Sequence, residues 1–127
     1  MSGNLAIWWN ILNGSTVKFW VEDGGSDIFA SATIGPANLV PRQVGHDQLV
    51  PGPAEEPVEN NQSLEAEIEV AFQGSDTQPA TIHAQVIDPN GQVFPDSDGE
   101  MLYAYNVEGK SGENPARANL QFVSKAG

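Results

Sequence analysis

Apolar and polar side chains alternate in twos along most of this chain. Leu64, Ala66, Ile68, Val70 and Phe72 fall on one side of an extended segment, and Glu65, Glu67 and Glu69 on the other. That is the pattern of an antiparallel strand with one dry face and one wet face. The same period recurs over Leu5 to Ile11, Thr16 to Val21, Asp27 to Ile34, Ala80 to Ile87, Met101 to Val107 and Ala116 to Val123. No window of a dozen residues keeps apolar side chains at three- and four-residue spacing, so helix is not expected. Turn residues punctuate the runs, notably Asp88-Pro89-Asn90-Gly91. Roughly seven to nine short strands in one domain, residues 1–127, predict an all-β fold. The expected architecture is an antiparallel β-sandwich, immunoglobulin-like or jelly-roll-like.

The first two runs flank Asn13-Gly14, a hairpin signature. A three-residue loop with Gly14 left-handed would pair Trp9 with Val17 and Ile7 with Phe19. Leu5, Ile7, Trp9, Ile11, Val17, Phe19 and Val21 would then line the dry face. Ala6, Trp8, Asn10, Thr16, Lys18, Trp20 and Glu22 would line the other. One long segment, Gly35 to Ser63, breaks the rhythm with Pro36, Pro41, Pro51, Pro53 and Pro57. It exceeds an ordinary connection. Leu39, Val40, Val44, Leu49 and Val50 suit its first half to packing, with one short edge strand, whereas Pro51 to Asn61 reads as solvated.

Composition alters this picture in three ways. Seventeen acidic residues against five basic ones give a formal charge of −12, which repels phosphate backbones and anionic lipid, so nucleic acid and membrane are not expected partners. Cysteine is absent, removing disulfides and thiolate metal sites. No apolar stretch reaches the roughly 20 residues of a membrane span. The N-terminus has no basic region of the kind a classical signal peptide carries. A soluble chain is therefore expected, resident in the cytoplasm or exported by another route.

Candidate chemistry is sparse. On the predicted wet face of the hairpin, Trp8 and Trp20 lie near one another with Lys18 opposite Trp8. Exposed indoles beside a cation can bury against a protein surface or stack on a sugar ring. Glu65, Glu67 and Glu69 form an acidic ladder whose side chains stand about 7 Å apart. It suits a solvated face that discourages edge pairing, or a basic partner. Asp96, Asp98 and Glu100 flank Gly99 like half of a calcium loop. Asp88 and Asn90 could add oxygens there, but the apolar residues after Gly99 do not complete an EF-hand template, and Glu108 falls off the required position. His46 and His83 are the histidines, and neither has a nucleophile elbow or a paired-histidine spacing beside it. The expected function is a non-catalytic binding or structural module. It would self-assemble or dock on a protein partner through the Trp8/Trp20 face or a loop end. The alternative is a small lectin-like module, with calcium as its only conceivable cofactor.

Overall fold

The computed structural model describes residues 4–36, 42–44, 54–57 and 63–124, with side chains placed over 4–35 and 63–124. The described residues form ten strands and no helix: β1 (Leu5–Ile11), β2 (Thr16–Glu22), β3 (Ile28–Pro36), β4 (Arg42–Val44), β5 (Ala54–Pro57), β6 (Leu64–Phe72), β7 (Gln78–Ile87), β8 (Val93–Phe94), β9 (Tyr103–Gly109) and β10 (Ala116–Ser124). They make two sheets. The first runs β1-β10-β6-β3-β4, and the second runs β5-β2-β7, with β8 and β9 sharing the far side of β7. Every pairing is antiparallel except β1 with β10, which is parallel. The first sheet is thus mixed, and the second is purely antiparallel. β4 and β5 lie within the long proline-rich segment; β5 falls in the half read as solvated and pairs with β2. Residues 37–41, 45–53 and 58–62 of that segment, His46 among them, lie outside the described residues.

The strict alternation of β6 explains its central place. Ala66, Ile68 and Val70 are buried, and the strand pairs along its length with β3 on one side and β10 on the other. β2 buries Val17, Phe19 and Val21, and β7 buries Ala80, Ile82, Ala84 and Val86. Both sheets contribute to one core cluster. Trp8 of β1 stacks on Phe122 of β10 at 4.9 Å and meets Tyr103 of β9, in the other sheet, edge-on at 6.2 Å.

The predicted hairpin does not form. Ser15 N–H donates to the Leu12 carbonyl across Asn13-Gly14, and of the two central residues only Gly14 has positive φ, at 88°. Positive φ at the second central residue alone marks a type II turn, whose twist splays strands instead of pairing them. β1 therefore leaves for the first sheet and β2 for the second, and the proposed pairs Trp9 with Val17 and Ile7 with Phe19 are absent.

From Leu5 to Trp9 the dry face of β1 is also reversed, whereas Ile11 is buried as expected. Ala6, Trp8 and Ile11 are buried, while Leu5 and Trp9 are exposed and Ile7 is half-buried. Trp8 pairs with Phe122 and Ile11 with Ser124, so three steps on β1 match two on β10. This is a β-bulge, and Asn10 takes its left-handed position with φ 59°. The extra residue shifts the phase by one, which brings Ile11 inward on the same side as Trp8.

Candidate functional site

Trp8 and Trp20 do not share a surface. Trp8 has 0% exposure in the core, whereas Trp20 is half-buried on the outer face of the second sheet. The exposed Trp8/Trp20 platform is overturned, because β1 and β2 belong to different sheets. Lys18, also half-buried, lies along β2 opposite Gln85 of β7 and Glu55 of β5, not opposite Trp8.

Trp20 stacks on His83 at 5.2 Å with the rings inclined by 27°. His83 is buried, and its Nδ1 lies 3.2 Å from the Tyr103 carbonyl, which can only accept, so Nδ1 carries the hydrogen. Nε2 lies 3.2 Å from Glu22 Oε1, an ion-pair distance without hydrogen-bond geometry. The neighbouring Thr81 hydroxyl donates to Asn106 Oδ1 at 2.8 Å. The histidine is held as a structural bridge between β2, β7 and β9.

The Asp96 loop is built around its own carboxylate. Asp96 Oδ1 accepts the N–H groups of Asp98 and Glu100, both at 2.9 Å; Gly99 N–H donates to the Asp96 carbonyl, and Asp96 N–H to the Glu100 carbonyl. The Asp88 loop repeats every bond, with Asn90, Gln92 and Gly91 in the matching places. Gly91 and Gly99 stand at φ 85° and 82°. In each loop the aspartate Oδ1 that could face a cation instead satisfies two backbone donors. Among the described residues no group of three or more metal-ligating side chains converges, so Asp96, Asp98 and Glu100 are not assembled as a calcium site. Ser97 N–H adds a contact of another kind. It donates at 2.8 Å to the Ile7 carbonyl, on the open edge of β1.

The acidic ladder stays on the outer face of the first sheet, but on an interior strand, so it does not guard an edge. Arg117, opposite Glu69 across β10, lies 3.2 Å from Glu69 Oε1 and 3.8 Å from Glu67 Oε1. Beside it a groove of about 270 Å³ opens, lined by Thr33, Glu65, Glu67, Asn119 and Gln121 together with Ala66 and Leu120. The sheet register explains its position. One row across the sheet reads Leu5, Asn119, Glu67, Thr33, and the next reads Ile7, Gln121, Glu65, Gly35. The groove is flanked on its β1 side by exposed apolar surface at Leu5 and half-buried Ile7; Trp9 lies within the bulge.

No family model, no curated protein and no solved structure matches the chain. Among the described residues no helix is long and apolar enough to cross a membrane. The groove was not foreseen. Glu65 and Glu67 were legible on the polar side of their strand, but only the pairing of β6 with both β3 and β10 sets them beside Thr33, Asn119 and Gln121.

Proposed function

We propose that this chain is a non-catalytic docking module, its two sheets forming the layers of a β-sandwich, and that it binds a protein partner through the outer face of the β1-β10-β6-β3 sheet. One observation carries this reading: the edge strand β1 sets Leu5, 54% exposed, at the end of a groove of carboxylates and carboxamides, with Trp9, 51% exposed, further along the same strand. Apolar anchors beside polar groups are the usual composition of a protein-binding patch. Self-association through this face is disfavoured, since a two-fold contact would set the same carboxylates against each other. A sugar ligand would require an aromatic ring to stack on, and none lines the groove.

Photo-cross-linking tests the reading. A benzophenone side chain at Leu5 should give a discrete adduct in extract from the natural host, and the same group at Asn106, on the second sheet, should give none. Equal labelling from both positions, or none from Leu5, would overturn it. So would a glycan that quenches tryptophan fluorescence in the intact chain but not in Trp9→Phe, because that result assigns the face to carbohydrate.

A further inference from the structure

Resting on the docking reading above, we infer that the groove at Glu65 receives a guanidinium or ammonium group from a basic, apolar-flanked segment of the protein partner. The molecule already contains one half of this arrangement. Glu69 and Glu67 hold the Arg117 guanidinium from the neighbouring strand, at 3.2 Å and 3.8 Å. Glu65 continues the same ladder, and among the described residues no cation stands beside it. Its cross-strand neighbours are Gly35 and Gln121. The Gln121 carboxamide lines the groove beside Glu65 and offers an acceptor to a second N–H of an incoming fork.

The surroundings fit the same occupant. Leu5 and Ile7 occupy the β1 ends of the two groove rows, so residues flanking the cation would meet apolar surface. The formal charge of −12 draws a basic segment toward the protein and repels an acidic one. A guanidinium among Glu65, Glu67 and Gln121 would make charge-assisted hydrogen bonds with carboxylates that a neutral segment leaves wet.

Calorimetry with defined peptides tests the inference. The probe is a synthetic peptide alternating Arg and Leu, and its counterpart replaces every Arg with citrulline, which keeps the shape and removes the charge. The intact chain should bind the first and not measurably the second. Glu65→Gln should weaken binding about tenfold, the scale of one charge-assisted hydrogen bond. Glu108→Gln, which removes the same charge from an exposed site on the second sheet, should change it less than about twofold. Equal weakening by the two variants would show diffuse attraction only and overturn the inference. Equal binding of the citrulline peptide would do the same. If the Leu5 cross-link forms while Glu65→Gln binds the arginine peptide as the parent does, the docking face stands and the cation pocket falls.

Discussion

Asn10 stands at φ 59°, a conformation that asparagine tolerates and most side chains resist. The bulge it completes returns Ile11 to the side of Trp8, so that both are buried although three steps separate them. Asn10→Val should therefore lower unfolding stability by about 1–2 kcal/mol, the cost of a branched side chain in the left-handed region. Asn10→Gly should be close to neutral; urea unfolding of the pair separates backbone strain from lost contacts. The two tryptophans should differ more sharply. Trp8→Ala empties a site against Phe122 and Tyr103 and should cost about 3–5 kcal/mol, whereas Trp9→Ala should stay within about 0.5 kcal/mol. Strict alternation from Leu5 predicts these roles in reverse. Leu5, Ile7 and Trp9 are as apolar as Ala6, Trp8 and Ile11, so alternation alone had no contrast with which to orient this strand.

At the scale of elements, the loops at Asp88 and Asp96 are one structure used twice. Each is a turn whose aspartate receives two backbone amides and whose glycine takes the left-handed place. They differ in what they touch, since the Asp96 loop alone reaches β1, through Ser97 N–H to the Ile7 carbonyl. Ser97→Pro offers a clean separation, because Pro89 already fills the corresponding position of the Asp88 loop. The turn should survive while one hydrogen bond is lost, lowering stability by about 0.5–1.5 kcal/mol. Amide exchange should quicken along β1 and remain as it was on β6 and β10; unchanged exchange on β1 would remove the edge contact from the account. The turn at Asn13-Gly14 teaches a related lesson. Its residues announced a reversal correctly, yet whether a reversal joins partners in one sheet or passes between sheets depends on which strands lie across from each end.

For the molecule as a whole, the second sheet contributes a buried phenol at the interface with the first. Burial pushes the Tyr103 hydroxyl well above the ordinary value of 10.0, with smaller contributions from Tyr105 and Glu100. A pKa raised on folding means that the native state holds its proton more tightly than the unfolded chain. Its contribution is complete below pH 10.0 and is lost as pH climbs above that value. Stability should thus fall on the alkaline side, and Tyr103→Phe should flatten that fall, as followed by thermal unfolding between pH 8 and 12. An equally steep alkaline loss in the variant would assign the effect to other groups. The acidic surface acts over the same scale. With a formal charge of −12, the association rate of a basic partner should drop steeply as salt is raised.

Period-two alternation in β2, β3, β6, β7 and β10 determined without help that the chain forms strands, where most of them begin and end, and which faces stay dry. That information is local, because a strand with apolar residues on one side alone has a single way to bury them. Tertiary structure decided the rest: the type II corner that parts β1 from β2, the parallel docking of β1 on β10, and the bulge that turns Ile11 inward beside Trp8. The groove at Glu65 belongs with these, since its walls come from β3, β6 and β10. Residues far apart in the chain become neighbours only through register, and register is fixed by how whole faces fit, which no single strand carries in its own pattern.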